Sequence, residues 1–134
     1  MELMAVEIRR LDDDTGQDPA YRVLVDRLWP RGVRRDSLRL DTWFKELAPS
    51  DALRQWYGHD PSRWEAFRAR YRAELEQEPA RSLLEGLARR AARETVLLLS
   101  SARDRDHNQA VVLKELIDER FARQEGRPSD PPLQ

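Results

Sequence analysis

Five arginines crowd the stretch 27–39 of this chain. Arg27, Arg31, Arg34, Arg35 and Arg39 share it with one acid, Asp36, and with Trp29. A guanidinium donates in a planar fork that matches the oxygens of a phosphate or carboxylate, and an indole offers a flat face to a base or another planar group. Arg27 and Arg31 flank the end of an apolar run and are placed to grip a ligand. Arg34, Arg35 and Arg39 read better as solvated side chains paired with acidic neighbours. Asp26, just before the cluster, is either an acid–base group or an anchor that orients Arg27 and nearby amides.

A second polar segment runs from Ser100 to Asn108 and holds Ser101, Arg103, Asp104, Asp106 and His107. Small hydroxyl residues after an apolar strand, followed by a helix start, make an anion cradle. His107 and Asn108 are expected in the first turn of that helix, where an imidazole can donate, accept or act as a base near pH 7. The plainer reading is that Asp104, Asp106 and His107 only cap the helix. His59 stands between two signals, the helix stop Gly58 and the helix start Asp60-Pro61. A stiff corner can aim a side chain into a cleft, although His59 can equally sit in solvent or bond a helix-end carbonyl. The candidate ligand-binding residues are therefore Asp26, Arg27, Trp29, Arg31, His59, Ser100, Ser101, Arg103, His107 and Asn108. None is assigned a catalytic role.

Other chemistries lack their residues. The chain has no cysteine, so disulfides, thiolate catalysis and sulfur-ligated metals are excluded. His59 and His107 are too far apart for a metal-ligand spacing, and no metal is expected. The glycines are scattered, with no phosphate loop, dinucleotide fingerprint or nucleophile elbow, and no cofactor is expected. With 24 basic and 25 acidic residues the charge nearly cancels, which argues against a protein that mainly coats nucleic acid. All the basic residues but Lys45 and Lys114 are arginine, a bias that a GC-rich genome produces, so only local clustering of Arg is informative. Neither a leader at Met1–Ala5 nor a membrane-length apolar run is legible. The expectation is a cytoplasmic monomer or homodimer without membrane contact.

These segments need elements to hold them. Ala5–Arg9 and Tyr21–Asp26 read as strands, and Thr95–Leu99 as a third, with the run Val96–Leu99 suited to burial on both faces. Asp12–Pro19 reads as a loop. Leu40, Trp43, Phe44 and Leu47 have helical spacing, ending at Pro49. Ser50 caps a short helix through Leu53, Trp56 and Tyr57. Further helices carry the stripes Trp64–Phe67–Tyr71–Leu75 and Leu83–Leu84–Leu87–Ala91. A last helix, with Asp106 as cap and Gln109 closing a capping box, carries Val112, Leu113, Leu116, Ile117 and Phe121. Residues 1–123 are expected as one α/β domain, a small mostly parallel sheet of about three strands flanked by five or so helices in Rossmann-like layers. Residues 124–134 read as a disordered tail. In such sheets ligands bind beyond the carboxyl ends of the strands, so Asp26, Arg27 and Trp29 should meet Ser101, Arg103 and Asn108 around one cleft.

Three blocks also carry a family resemblance. Val23-Leu24-Val25-Asp26-Arg27-Leu28-Trp29-Pro30-Arg31-Gly32 is the first. The second is Trp43-Phe44-Lys45-Glu46-Leu47-Ala48-Pro49-Ser50, continuing through Leu53-Arg54 and Trp56-Tyr57-Gly58-His59-Asp60-Pro61. The third comprises Ala102-Arg103-Asp104 and His107-Asn108, then Ala110-Val111-Val112-Leu113-Lys114. Together they resemble the YeaO-like branch of the domain-of-unknown-function 488 family. That resemblance implies a small bacterial or archaeal α/β cytoplasmic protein and supplies no substrate. In the wider family a cysteine falls near Ser100 and a Cys-His-Arg triplet near Asn108-Gln109-Ala110, so thiol chemistry cannot carry over. Two function classes follow: a site for an anionic or nucleotide-like small molecule, with or without catalysis, or nucleic-acid binding through 27–39. An interaction protein with exposed Trp43, Trp56 or Trp64 is a third.

Overall fold

The computed structural model describes residues 6–125. Strands β1 (Val6–Arg10), β2 (Tyr21–Leu24), β3 (Thr42–Trp43) and β4 (Val96–Ser100) form one sheet in the order β1-β4-β2-β3. Every pairing is parallel. Strand β4, in the middle, is buried at every residue, as an interior parallel strand must be. Its register sets Leu98 beside Ile8 and Val23, and Leu99 beside Arg9 and Leu24.

Helices α1 (Asp51–Tyr57), α2 (Trp64–Glu74), α3 (Ala80–Ala91) and α4 (Gln109–Glu125) complete the layer. Their buried residues join Val6, Val23, Val25, Val96 and Leu98 in one core. On the other face of the sheet, Arg22, Leu24, Leu97 and Leu99 are also buried. Arg22 is a charge inside a central strand, which is costly unless every donor is met. Its Nε donates to Asp14 at 2.8 Å, and its terminal nitrogens donate to Asp18 Oδ1 at 2.6 Å and to the Asp18 carbonyl at 2.8 Å. Arg9 adds a second guanidinium on Asp14 at 2.8 Å. The loop after β1 is thereby clasped to the sheet. Hydrogen bonding from Arg22 holds the Asp14 carboxyl below the usual carboxylate range.

Two expectations need correction. The segment 40–47 is not a helix but β3 followed by a 3₁₀ turn, Lys45–Leu47. Its backbone is recruited by the open edge of β2: Asp41 N donates to the Arg22 carbonyl and Phe44 N to the Leu24 carbonyl, each at 2.9 Å. A single helical turn or two has little stability of its own, and Thr42-Trp43 suits a strand. Among the described residues the sheet therefore has four strands, and four α-helices accompany it. The last helix starts at Gln109, and its cap is Asn108 rather than Asp106. Asn108 Oδ1 accepts from Ala110 N at 2.8 Å and from Val111 N at 3.2 Å. Asp106 loses the role because Asp104 organises the preceding turn, accepting from the amides of Asp106 and His107.

Other signals act as read. Ser50 Oγ accepts from Leu53 N at 3.1 Å to cap α1. Gly58 closes that helix in the left-handed region, at φ 54°. Asp60 accepts from Ser62 N at 3.0 Å, with Pro61 opening the 3₁₀ turn that leads into α2. The expected C-terminal tail lies outside the described residues, apart from its first two positions, 124 and 125, which belong to α4.

Candidate functional site

Because β2 and β4 are parallel neighbours, they release their chains side by side: Val25 N still donates to the Leu99 carbonyl at 3.0 Å before the paths part. Asp26 then crosses to the other segment. Its Oδ1 accepts from Ser100 Oγ at 3.1 Å and Gln109 Nε2 at 2.8 Å. Its Oδ2 accepts from Ser101 N at 3.0 Å and Ser101 Oγ at 2.7 Å. A carboxylate offers about four lone-pair sites, so this one is saturated. The Asp26 carbonyl is also held, by Trp43 Nε1 at 2.7 Å. Asp26 is an anchor in this structure, and the two hydroxyls beside it are committed to it.

Above this floor lies a cavity of about 350 Å³, within the range of small-molecule sites. Asp26, Ser101 and Gln109 form its base, and Arg27, Trp29, Arg31, Arg54 and His59 stand around it. Asp51 Oδ1 bridges two of the arginines, at 3.0 Å from Arg27 Nε and 2.8 Å from Arg54. The Arg54 hydrogen bond holds the Asp51 carboxyl below its ordinary range. These exposed single contacts are weak and can yield to a stronger anion. Arg31 is exposed and has no acidic partner among the described residues. Trp29 is pinned by its indole N–H to the Val33 carbonyl at 2.6 Å and stands edge-on to Trp43 at 5.5 Å. The turn that carries this loop back uses Gly32 at φ 78°, a conformation that favours glycine.

The other three arginines go elsewhere. Arg34 pairs with Asp36 at 2.9 Å, Arg39 donates to the Gly16 carbonyl at 2.6 Å, and Arg35 lies over the Trp29 ring at 4.6 Å. Trp43, Trp56 and Trp64 are each half-buried rather than exposed.

His59 is exposed and lies in the left-handed region at φ 58°, unusual for a residue other than glycine. It lines both the large cavity and a smaller one of about 90 Å³ that shares Arg54, Ala102 and Gln109 with it. Tyr57, Phe67, Asp104, His107 and Asn108 belong to the smaller cavity. Tyr57 stacks on Phe67 at 4.3 Å and donates its hydroxyl to the His107 carbonyl at 3.1 Å. Burial pushes the Tyr57 phenol up. His107 Nδ1 sits 3.1 Å from Asp104 Oδ2, and Trp64 meets its ring edge-on. Contrary to the sequence reading, His107 and Asn108 precede the helix. Asn108 lies outside the large cavity, and Arg103 is exposed and apart from both cavities. Ser100 is buried beneath Asp26.

Gln109 and Arg54 escaped the sequence reading. The spacing of Gln109 from Asp106 suggests a capping box, but its side chain goes to Asp26. Arg54 lies in the second family-like block, which gives it no role, and its place one turn after Asp51 is the signal that it shares an acid with a neighbour. No group of three or more His, Asp or Glu side chains converges on a common metal position among the described residues. No described helix is long and apolar enough to cross a membrane.

The protein is 38% identical over 115 residues to the uncharacterized protein Rv3073c of Mycobacterium tuberculosis, covering 86% of this chain and 95% of that one. The uncharacterized protein Mb3100c of Mycobacterium bovis matches to the same extent, at 38%. Against the uncharacterized protein YeaO of Escherichia coli the identity is 39% over 117 residues, covering 85% and 97%. No solved structure matches the chain. A sequence profile described as the inactive DUF488-N3 subclade matches residues 5–134, and with relatives aligned along almost their entire length, the chain belongs to that branch of the DUF488 family.

Proposed function

We propose that this protein binds a small anionic or nucleotide-like molecule at the carboxyl ends of β2 and β4 and does not convert it. One observation carries the reading: of the three arginines around the large cavity, Arg27 and Arg54 share one exposed carboxylate, Asp51, Arg31 has no acidic partner among the described residues, and the lone pairs of Asp26 are already satisfied. Three guanidinium groups thus meet one shared acid, and Arg31 is left for an incoming oxyanion. Trp29 provides a fixed aromatic wall. The absence of conversion is supported by the family's description as inactive and by serine, not cysteine, at the end of β4. Cavity shape favours a small ligand over nucleic acid. Arg27 and Arg31 line a concavity, and 27–39 holds only the 3₁₀ turn Arg35–Ser37, with no helix to enter a groove.

The test is a thermal-shift screen of inorganic phosphate, sugar phosphates, adenosine monophosphate and a short DNA duplex. Stabilisation reaches about 2.7 kcal/mol at a hundredfold excess over Kd. A small anion that stabilises the wild type but not Arg27→Ala or Arg31→Ala supports the proposal. Stabilisation by the duplex alone, falling steeply with salt, would transfer the site to nucleic acid.

A further inference from the structure

We propose that the small cavity beside His59 is the second half of the same site and accepts a compact apolar group, smaller than a benzene ring, attached to the oxyanion that the arginines hold. The inference rests on the reading of the arginine cavity as an anion site.

One side of it is apolar and fixed. Phe67 is 2% exposed and Tyr57 6%, stacked on one another, and Pro49 and Ala102 adjoin them. The polar neighbours other than His59 are already bonded, Arg54 to Asp51 and Gln109 to Asp26 among them. Asp104 accepts from the amides of Asp106 and His107 and from the His107 ring. Asn108 donates to the Asp104 carbonyl and accepts from two helix amides. The Tyr57 hydroxyl is held by the His107 carbonyl. An ordered water needs two to four polar partners, and apart from the His59 ring these groups are committed to one another, whereas an apolar group gives nothing up by entering. Size narrows the choice. At about 90 Å³ the space falls short of the roughly 150 Å³ cavity known to take benzene, so it suits a methyl to isopropyl group and excludes a purine.

His59 lines both compartments, together with Arg54, Ala102 and Gln109, and is held there at a backbone cost. It is a non-glycine residue at φ 58°, fixed between the Gly58 helix stop and the Asp60 cap, with no hydrogen bond of its own among the described residues. Its ring meets Tyr57 at 6.3 Å, and strain held with so slight a return is characteristic of a residue positioned for a ligand.

Calorimetric titration of the intact protein with inorganic phosphate, methyl phosphate, isopropyl phosphate, phenyl phosphate and adenosine monophosphate tests this, with isobutyrate as the carboxylate arm. Affinity should rise roughly fourfold for each carbon buried, up to isopropyl, with no further gain for phenyl or adenosine. In His107→Ala the widened slot should let phenyl phosphate gain. His59→Gly should melt higher than wild type, because glycine takes this φ freely, yet lose the preference for isopropyl over phenyl. Equal affinities for phosphate and isopropyl phosphate would overturn the slot while leaving the arginine site standing. Tightest binding by phenyl phosphate or adenosine monophosphate in the wild type would overturn the size limit. Failure of every phosphate and of isobutyrate to bind would overturn the arginine site and the slot together.

Discussion

Gln109, the first residue of α4, donates from Nε2 to Asp26, the second residue beyond β2, at 2.8 Å. One side-chain contact thus joins a helix start to a strand end that lies 83 residues away in sequence. The bond sits in an arrangement where Asp26 only accepts. Asp26→Asn places an amide N–H₂ among donors and strands at least one of them in a site that is 8% exposed. Leaving a buried donor unmet costs about 1–3 kcal/mol, so the urea midpoint should fall by that equivalent with the slope unchanged. Binding of phosphate should weaken as well, because the floor under Arg27 and Trp29 loses its anchor. Unchanged stability would mean that the carboxylate is not an acceptor hub.

The buried guanidinium of Arg22 predicts an acid limb. Asp14 is the partner that meets it inside, and Asp18 meets it from the exposed side. Asp14→Ala should cost about 3 kcal/mol, at the lower end for breaking a buried pair because Asp18 remains, and Asp18→Ala under about 1 kcal/mol. The sign with pH follows from the direction of the shift. Arg22 holds the folded Asp14 carboxyl below its unfolded value, so its contribution is complete above about pH 4 and is lost as pH falls through the lower, folded value. Unfolding free energy measured from pH 7 down to pH 2 should therefore drop more steeply in wild type than in Asp14→Ala. Parallel curves would refute the assignment.

How far the sequence spoke depended on whether a residue's fate was local. Runs such as Val96–Leu99 declared a buried parallel strand because nothing else tolerates so much uninterrupted burial, and Ser50, Gly58 and Asp60-Pro61 act within three residues of themselves. Thr42-Trp43 misled because the edge of β2, some twenty residues upstream, decided its conformation. Gln109 misled for the same reason, drawn from its own helix end to Asp26. Arg22 was invisible as a core residue, since only the fold shows Asp14 and Asp18 converging on it. Within the candidate site, the two strand ends were legible and the partition of the arginines partly so. The second compartment was not, because Tyr57, Phe67 and His107 come from three separate segments.

The helix cap separates local from remote logic in one measurement. Asn108→Ala removes the acceptor for Ala110 N and Val111 N and should destabilise the protein by about 0.5–2 kcal/mol. Asp106→Ala, at the position sequence reading favoured, should stay within about 0.5 kcal/mol, since Asp106 is exposed and its side chain caps nothing. The reverse ranking in thermal unfolding would restore Asp106 as the cap.

Arg31 offers the cleanest separation of binding from folding. Arg27 and Arg54 share Asp51, so truncating either also alters an ion pair, whereas Arg31 lines the same cavity with no acid to lose. Arg31→Ala should leave the melting temperature almost unchanged, as substitutions at exposed positions without partners do. It should remove a charged hydrogen-bond donor to the ligand, worth about 1.5–3 kcal/mol, or roughly a tenfold to hundredfold loss of affinity for an oxyanion. Arg34→Ala is the matched control: it deletes an arginine from the same loop, but one turned to Asp36 and away from the cavity, and should bind like wild type. Arg31→Lys should recover only part of the loss, because a point charge cannot reproduce the planar fork. Equal weakening by Arg31→Ala and Arg34→Ala would point to a diffuse basic surface in place of a built pocket.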